Sequence, residues 1–590
     1  MTATLEPTAE QRAVIGLAPD ARVFVIAGPG AGKTWALLQR AVQLTGDDGL
    51  AVGELLVLSF TRAVVAELRR RDRFLTDPSR IRPETFDSFA TRLLAEHATD
   101  ESWRSAGFDG RMTAATHLLK DGSALSGLED VRHILLDEVQ DLVGVRAAFV
   151  AALLRAHPGG FTAFGDPAQA IYDHERGRHD DGLLDDLAGV ADEVLELNGN
   201  HRASGALAEV ARQLRTVLLE EDTRAAADAV TEAFGDLATL GESEALGTQL
   251  ASMHQSAAVL CRDNATALLL SEAFHRDHVR HRVRRGSTDR PVAGWVAGLF
   301  AGRASLTRAA LAERHAQLVE VDFPGLMDVE TAWRALSRLD AQARSGAVRE
   351  REVRQRIALG GVPWELYDEP IESLVISSVH RAKGLEFDQC VIVEWSPRKE
   401  ADQALEARVL FVALTRARRE CWHAEGWHGS RWFRSREAQD RLIKHGRERW
   451  QTFGIEVRGG DAHAPDPAGE LGMPRPADEI QRLLIEAVRP GDDVILSYQG
   501  EHDYGCGLRP IYSVMHADHG PVGVTGRDFG DALSGRLRDR RRPSAITNVR
   551  VDDLETVAGS PDSGDAAGLG RTGLWLRPRL IGLGEFQWKT

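Results

Sequence analysis

The chain has 590 residues, of which 43% are hydrophobic, and it carries a formal net charge of −16. A chain of this length exceeds what one hydrophobic core usually serves, so we expect several domains. No apolar run approaches the roughly 18 residues needed to span a bilayer, and the four cysteines form no C-x-x-C pair, which excludes a membrane-spanning class and argues against zinc or disulfide modules. The polar first residues do not resemble a secretory signal, so we expect a cytoplasmic protein. The acidic total does not exclude nucleic acid, because phosphate binding depends on local charge.

The first predicted functional element is a glycine-rich turn between a strand and a helix. Residues 23–26 have the pattern of a buried strand, and residues 35–42 have helical character. Glycines let backbone N–H groups surround phosphate oxygens, and Lys33 can reach the terminal phosphates. The sequence therefore predicts an ATP-binding P-loop in which Thr34 ligates Mg²⁺; the alternative is a chance glycine-rich turn. The predicted loop positions are Ala27, Gly28, Pro29, Gly30, Ala31, Gly32, Lys33 and Thr34. The strict pattern has glycine at the first of these positions, where this chain has Ala27.

Two adjacent acids follow the apolar segment at residues 131–136, in the stretch ILLDEVQDL. Acids at the carboxyl end of a parallel strand project where ligands bind in α/β sheets. Asp137 is predicted to hold Mg²⁺, directly or through water, and Glu138 to polarise the attacking water. A solvated strand end is the alternative for one acid, but it explains poorly an Asp-Glu pair in a chain that also has a P-loop.

The stretch LLDEVQDL resembles the D-E-x-Q-D box of superfamily 1A helicases, the UvrD/PcrA/Rep group. Eight further stretches resemble motifs of that group and occur in the family's order. They are PTAEQRAVI (7–15), LSFTRAVVAELRRR (58–71), TFDSFATRLL (85–94), FGDPAQAIY (164–172), LNGNHRAS (197–204), AVLCRDN (258–264), VISSVHRAKGLEFDQCVIV (375–393) and LFVALTRARRE (410–420). Each match alone is weak, but nine in order make chance similarity an unconvincing alternative.

The resemblance implies an α/β fold. We expect two RecA-like P-loop NTPase domains with small, mainly helical inserts called 1B and 2B, and an additional C-terminal domain rich in strands. The expected divisions are 1–88 and 131–198 for the first RecA-like domain, 89–130 for 1B, 199–289 and 371–450 for the second RecA-like domain, 290–370 for 2B, 451–476 for a linker and 477–590 for the C-terminal domain.

The resemblance also implies a set of nucleotide contacts. Gln11 is expected to read adenine, Gln169 to sense the γ-phosphate, and Arg202 and Arg416 to reach the nucleotide from the second domain when the cleft closes. His201 stands where the family has a tyrosine that stacks on adenine. Glu386 is expected to contact the nucleotide sugar, and Gly384 to permit close backbone approach. The implied catalytic residues are Lys33, Asp137, Glu138, Gln169, Arg202 and Arg416.

Single-stranded DNA is gripped by aromatic stacking and by backbone contacts. The positions that match the family's DNA contacts are Phe60, Thr61, Thr85, Phe86, Tyr172, Ser378 and His380. For each aromatic residue the alternative is packing in the core. Asp87 replaces a common histidine and puts one DNA contact in doubt, and His174 is a possible but insecure match for an aromatic position after Tyr172.

The resemblance implies an ATP- and Mg²⁺-dependent DNA helicase or translocase that moves 3′ to 5′ and acts in DNA repair, recombination or genome defence. The implied partner is single-stranded or 3′-tailed DNA, with a possible protein partner for the C-terminal domain. Two alternatives stay open: a DNA-stimulated translocase that does not unwind, and a nucleotide-switched component of a larger repair or defence assembly.

Overall fold

The protein is described by a computed structural model. It describes residues 6–59, 83–100, 102–172, 182–203, 205–220, 222–242, 246–251, 256–284, 291–340, 342–343, 346–359, 362–367, 374–393, 395, 402–425, 432–434, 441–445, 452–469, 471, 473, 475–505, 507–534, 537 and 541–588. The chain forms two compact units. The first comprises Met1–Glu242, Gln255–Arg262 and Ser378–Glu425, and the second comprises Ser243–His254, Asp263–Ser377 and Gly426–Thr590.

The first unit alternates strands and helices. Its strands are Arg22–Ala27 (β1), Leu55–Ser59 (β2), Glu84–Thr85 (β3), His133–Asp137 (β4), Gly160–Gly165 (β5), Glu193–Leu197 (β6), Thr239–Glu242 (β7), Ala257–Cys261 (β8), Phe387–Val393 (β14) and Ala417–Glu425 (β15). Its helices are Ala9–Ile15 (α1), Lys33–Thr45 (α2), Phe86–His97 (α3), Phe108–Lys120 (α4), Val145–Ala156 (α5), Leu183–Val190 (α6), Ala206–Glu220 (α7), Thr223–Gly235 (α8), Val379–Ala382 (α15) and Gln403–Leu414 (α16).

Six strands of the first unit form a parallel sheet in the order β3-β2-β4-β5-β1-β6. Successive side chains of a strand point to opposite faces of the sheet, and an apolar core covers each face. On β1, Phe24 packs into one apolar core, whereas Val23 and Val25 pack into the other. The carboxyl ends of β1 and β4 therefore lie on one edge of a rigid sheet, and the residues that follow them start from fixed positions.

A second group of parallel strands in the first unit has the order β7-β15-β14-β8. Strands β8 and β14 are almost entirely buried, and α16, which connects β14 to β15, contributes the buried residues Leu410 and Phe411. Parallel strands joined by helices confirm the predicted α/β class.

The second unit combines short helices with many antiparallel strands. Its helices are Leu246–Ala251 (α9), Asn264–Arg276 (α10), Trp295–Phe300 (α11), Arg308–Glu320 (α12), Val329–Ser337 (α13), Glu350–Ala358 (α14), Ala477–Glu486 (α17), Arg527–Ser534 (α18) and Pro561–Ala566 (α19). Its strands are Arg282–Val283 (β9), Val292–Ala293 (β10), Ser305–Thr307 (β11), Ala347–Arg349 (β12), Leu374–Ser378 (β13), Trp432–Arg434 (β16), Leu442–His445 (β17), Thr452–Val457 (β18), Asp493–Asp503 (β19), Leu508–His516 (β20), Gly520–Val524 (β21), Ala545–Ala558 (β22) and Leu574–Gln587 (β23).

The antiparallel sheet of the second unit has the order β16-β17-β18-β23-β22-β19-β20-β21, and β10 pairs with β22 outside this path. Strand β18 therefore lies inside the sheet, at residues where the sequence predicts a linker. Strands β16 and β17 also join this sheet, although the sequence assigns them to the second RecA-like domain. The sequence-based boundaries differ from the structure here because the partner strand β23 lies more than a hundred positions further along the chain.

The segment predicted as the 2B insert shares one hydrophobic core with the C-terminal strands. Trp295 and Phe300 of α11 belong to the same buried cluster as Ile455, Val549 and Leu576. The Thr556 hydroxyl on β22 donates to the carbonyl of Ala293 at 2.7 Å and accepts from the backbone N–H of Ala297 at 2.9 Å. In the described residues, the insert and the C-terminal strands are thus parts of one folded unit.

Candidate functional site

The phosphate loop connects β1 to α2, and its shape requires glycine at two positions. Gly30 and Gly32 have φ angles of 76° and 82°, in the left-handed region that favours glycine. A Cβ atom at Gly30 would lie 2.2 Å from Oδ1 of Asn200, and one at Gly32 would lie 2.8 Å from Nε2 of Gln11. Helix α2 begins at Lys33, so its N-terminus and the backbone N–H groups of the loop provide an anion site.

Gln11 is fixed against this loop at both ends of its side-chain amide. Its Nε2 atom donates to the carbonyl of Ala31 at 3.1 Å, and its Oε1 atom accepts from the backbone N–H of Thr8 at 3.1 Å. The buried Arg40 of α2 donates to carbonyl groups at the end of α1 and just beyond it, which ties the two helices together. The structure therefore places Gln11 beside the phosphate loop.

The two acids at the end of β4 have different surroundings. Asp137 is fully buried; its Oδ1 atom accepts from the backbone N–H of Glu138 at 3.0 Å, and Oδ2 has no hydrogen-bond partner among the described residues. Glu138 has a φ of 52°, unusual for a residue with a side chain, and its Oε2 atom lies 3.3 Å from Nζ of Lys33. The loop lysine and the predicted catalytic glutamate thus form an ion pair.

The fit of these residues to Mg²⁺ follows from the donor atoms. A buried carboxylate oxygen without a protein partner and the hydroxyl of the half-buried Thr34 are oxygen ligands of the kind Mg²⁺ takes. Within the described parts of the chain, no group of three or more His, Cys, Asp or Glu residues is arranged to hold a metal ion. Asp137 and Thr34 therefore fit a cation that takes its other ligands from nucleotide and water.

The electrostatics separate the two carboxylates. Burial, together with the charge of Glu138, raises the pKa of Asp137 to about 8. Burial also disfavours the charged form of Glu138, but Lys33 and Lys383 outweigh it and lower the pKa of Glu138 to about 2. Glu138 is therefore ionised at neutral pH, as a residue that accepts a proton from water must be.

A chain of hydrogen bonds runs from Glu138 to Arg416. The Gln140 amide donates to Glu138, and its Oε1 atom accepts from the backbone N–H of Asp166 at 3.1 Å. Oδ2 of Asp166 accepts from Nε2 of Gln169 at 2.6 Å, and Oε1 of Gln169 accepts from Nη2 of Arg416 at 3.2 Å. Residues from three of the predicted motifs thus meet in one network in the first unit.

The two predicted arginines are held differently. Arg416 is buried, and burial lowers its pKa to about 10, so it stays charged at neutral pH. Arg202 forms an ion pair with Glu386 at 2.6 Å and donates to the carbonyl of Thr415 at 3.2 Å. Glu386 also pairs with Arg418 at 3.1 Å. The structure thus brings Arg202 and the predicted sugar-binding Glu386 together.

The remaining nucleotide residues lie close by. The backbone N–H of the exposed His201 donates to the carbonyl of Gly30 at 2.7 Å, which places this residue beside the phosphate loop. Gly384 has a φ of 79°, so glycine is favoured at this position of the segment before β14.

Tyr172 and His380 form the centre of the predicted DNA side. The Tyr172 hydroxyl donates to the His380 carbonyl at 3.1 Å, and the two rings meet edge to face with centroids 5.9 Å apart. Nζ of Lys383 lies 5.4 Å from the centroid of the Tyr172 ring and pairs with Asp141. Ser378 is buried at the start of α15.

Phe86 is a correction to the sequence prediction. Its side chain is 1% exposed and belongs to the core that covers one face of the first sheet, so it offers no free face to a base. Thr85 caps α3 by accepting from the backbone N–H of Ser88 at 3.2 Å. Asp87 pairs with Arg146 at 3.3 Å. Phe60, Thr61 and His174 lie outside the described residues.

Three residues that contact the predicted site residues were not predicted from the sequence. Asp166 stands within the stretch FGDPAQAIY, and Asn200, whose Oδ1 atom accepts from the backbone N–H of Arg202 at 3.0 Å, stands within LNGNHRAS, so both were within reach of motif matching. Arg215 lies in α7, outside every motif, and its contact with Asp166 has no sequence signal.

The strand–glycine loop–helix unit, the buried Asp-Glu pair and the ion pair with the loop lysine define a P-loop NTPase. Residues 7–108 and 104–182 match the UvrD/REP helicase N-terminal domain, and residues 373–422 match the UvrD-like helicase C-terminal domain. Over these residues the chain is similar to UvrD-like helicase domains, in agreement with the resemblance found in the sequence.

Curated relatives match over a short stretch. An ATP-dependent helicase/nuclease subunit of Clostridium botulinum, found in two type A strains, is 44% identical over 66 residues, which is 11% of this chain. The chain spans 5% of the length of these relatives.

Solved structures show a distant likeness. A Pif1 helicase from Bacteroides in complex with ADP-AlF3 and ssDNA aligns with 71% of this chain and 93% of its own, at 11% identity and a TM-score of 0.33. Pif1 helicase from Candida albicans aligns with 71% and 94%, at 11% identity and a TM-score of 0.38. None of the helices in the described residues is long and apolar enough to cross a bilayer.

Proposed function

We propose that the chain is an ATP-dependent DNA helicase or translocase that hydrolyses ATP at the phosphate loop and moves 3′ to 5′ on single-stranded DNA. The observation that carries the proposal is the hydrogen-bond chain from Glu138 through Gln140, Asp166 and Gln169 to Arg416. It joins the residue that would activate water to an arginine directly before β15, so a change at the nucleotide can reach the second group of parallel strands.

Each side chain has a definite part in hydrolysis. Lys33 binds the terminal phosphates once ATP displaces its partner Glu138, and Glu138 then orients the attacking water. Arg202 and Arg416 stabilise the charge that develops on the transferring phosphoryl group. Thr34 and Asp137 would hold Mg²⁺, which when bound neutralises charge on the phosphate oxygens.

The proposed DNA-binding residues are Tyr172 and its neighbours. Tyr172 is partly exposed, and its ring is positioned by His380 and Lys383, so a base can stack on it. Ser378, His380 and Thr85 are proposed as further contacts, with Phe60 and Thr61 from the neighbouring motif. Lys383 also pairs with Asp141 in the motif of Glu138 and donates to the carbonyl of Gln169. One lysine thereby touches both the DNA-side ring and the hydrolysis network.

The proposal is tested by steady-state ATP hydrolysis with and without single-stranded DNA, followed by strand separation on duplexes with 3′ or 5′ tails. We expect stimulation by DNA and unwinding of the 3′-tailed duplex. The Glu138→Gln variant, purified in parallel, measures the ATPase activity that comes from contaminating proteins. Hydrolysis that does not respond to DNA would refute the motor, and unwinding of only the 5′-tailed duplex would refute the direction.

A second function, a DNA-stimulated translocase within a larger assembly, is favoured by two observations. The curated relatives are named as a subunit of a helicase/nuclease, and the second unit of this chain joins the insert to the C-terminal strands in one folded unit, which we propose as the part that binds a protein partner. Stimulated hydrolysis without strand separation would support this function. Repair, recombination or genome defence in the cytoplasm is the setting we propose for either activity.

A further inference from the structure

Arg215 of α7 lies against the first glycine of the phosphate loop. A Cβ atom at Gly28 would lie 3.0 Å from Cδ and 3.2 Å from Nε of Arg215. The arginine side chain is 12% exposed, and its Nη2 atom is buried with no hydrogen-bond partner in the part of the chain that the structure describes. A guanidinium is costly to bury, so its position beside the nucleotide loop calls for a physical reason.

The partner of Arg215 is Asp166, which is fully buried. Nε of Arg215 donates to Oδ1 of Asp166 at 3.1 Å, while Oδ2 of the same carboxylate accepts from Nε2 of Gln169 at 2.6 Å. Because the carboxylate takes the NH₂ group of Gln169, the carbonyl oxygen of that amide is left facing Arg416, which donates to it at 3.2 Å. Two arginines are thus bridged by one acid and one amide.

We infer that Arg215 is a positioning residue for ATP hydrolysis. It holds Asp166 in place, and Asp166 in turn fixes which end of the Gln169 amide faces Arg416. Without Arg215 the buried carboxylate loses its cation, and the amide can rotate and present its NH₂ group to the Arg416 guanidinium, which repels it. This role rests on the proposed function, because it concerns the same hydrolysis site.

A neighbouring arginine on the same helix shows that the arrangement is specific. Arg212 lies one turn before Arg215, and its side chain is 59% exposed and pairs with Glu209 on the helix surface. An exposed pair of this kind contributes little to stability. Arg212→Ala is therefore a matched control that removes an arginine from α7 without touching Asp166.

The test is steady-state ATP hydrolysis by the full chain with saturating single-stranded DNA, comparing wild type with Arg215→Ala, Arg215→Lys, Gln169→Ala and the double variant Arg215→Ala/Gln169→Ala. We expect Arg215→Ala to lower kcat by about 10- to 100-fold, as for other losses of alignment, with KM for ATP changed by less than about threefold. Arg215→Lys keeps a positive charge near Asp166 and is expected to recover part of kcat. Arg212→Ala should match wild type.

The double variant separates positioning from a merely structural role. If Arg215 acts through Gln169, adding Arg215→Ala to Gln169→Ala should change kcat by less than about twofold. Losses that multiply in the double variant, or an Arg215→Ala enzyme that matches Arg212→Ala, would overturn the inference. A wild-type chain that does not hydrolyse ATP would instead refute the proposed function, so the two failures are distinguishable.

Discussion

Lys33 and Glu138 form an ion pair of 3.3 Å between the first residue of α2 and the residue that follows β4. Each group is thereby held by the other, although the proposed chemistry needs the lysine on phosphate and the glutamate on water. Binding of ATP must separate them. This exchange links nucleotide binding to release of the catalytic carboxylate.

Replacing Glu138 by Gln should stop turnover without weakening ATP binding. Loss of a positioned general base lowers rates by roughly 10²- to 10⁴-fold, whereas the neutral amide no longer competes for Lys33. We expect an ATP dissociation constant equal to or lower than that of wild type, measured with a fluorescent ATP analogue. Glu209→Gln on the surface of α7 is the control. Weaker nucleotide binding in Glu138→Gln would contradict this account of the ion pair.

Gln11→Ala should weaken ATP binding with little change in kcat. The substitution removes the bond from Nε2 to the Ala31 carbonyl, and a hydrogen bond contributes about 0.5–1.5 kcal/mol, which is roughly a 2- to 10-fold rise in KM. Thr8→Ala is the matched control, because it removes the side-chain cap of α1 but leaves the Gln11 amide. Equal KM changes in both variants would assign the effect to the helix cap.

The Tyr172 ring and its hydroxyl can be tested separately. Tyr172→Ala removes the surface for stacking, which is worth about 1–3 kcal/mol per base, so the DNA concentration for half-maximal ATPase stimulation should rise by roughly 5- to 150-fold. Tyr172→Phe keeps the ring, loses the bond to the His380 carbonyl and should remain close to wild type. If the phenylalanine variant were as impaired as the alanine variant, stacking would not be the role of this residue.

The contribution of His133 to the stability of the first unit should fall as the pH drops below about 6.5. His133 at the start of β4 is buried between the Pro19 carbonyl and the Thr162 hydroxyl, and burial lowers its pKa to about 4. Between these two pH values His133 binds a proton in the unfolded chain but not in the folded one, so its contribution to stability is lost on acidification, whereas Asp137, whose pKa is raised, contributes in the opposite direction.

The loss in the free energy of unfolding that one such histidine causes is at most about 1.4 kcal/mol per pH unit. This loss is measured by urea unfolding at neutral pH and at a pH between the two pKa values. Hydrogen exchange at the same two pH values reports on β4. His133→Gln, which cannot titrate in this range, should lose less stability than wild type on acidification, and an equal change in both proteins would exclude a contribution from His133.

Ending the chain at residue 450 should unfold the insert. This truncation removes Ile455, Val549 and Leu576, which share a core with Trp295 and Phe300, and leaves a large apolar surface uncovered. We expect loss of hydrogen-exchange protection in α11 and aggregation. A chain ending at residue 588 is the control, and protection of α11 in the shorter chain would show that the insert folds alone.

Much of the hydrolysis site was predictable because its chemistry depends on residue types at short spacing. The phosphate loop, Asp137 and Glu138 lie at or directly after the ends of apolar strands, and a parallel sheet sets those strand ends on one edge. Phe86 was not predictable, because an aromatic side chain in a DNA-contact motif and one in a core have the same local pattern. Only the surrounding helices decide which it is.

The sequence by itself predicted the resemblance to UvrD-like helicase domains and the residues on the phosphate loop and at the end of β4, since local order along the chain fixes both. The tertiary structure decided the contacts between distant positions: Arg215 on Asp166, the Gln169 amide between two charged groups, and the insert joined to the C-terminal strands. The physical reason is that such contacts depend on how helices and strands pack, and packing brings together residues whose separation along the chain carries no pattern.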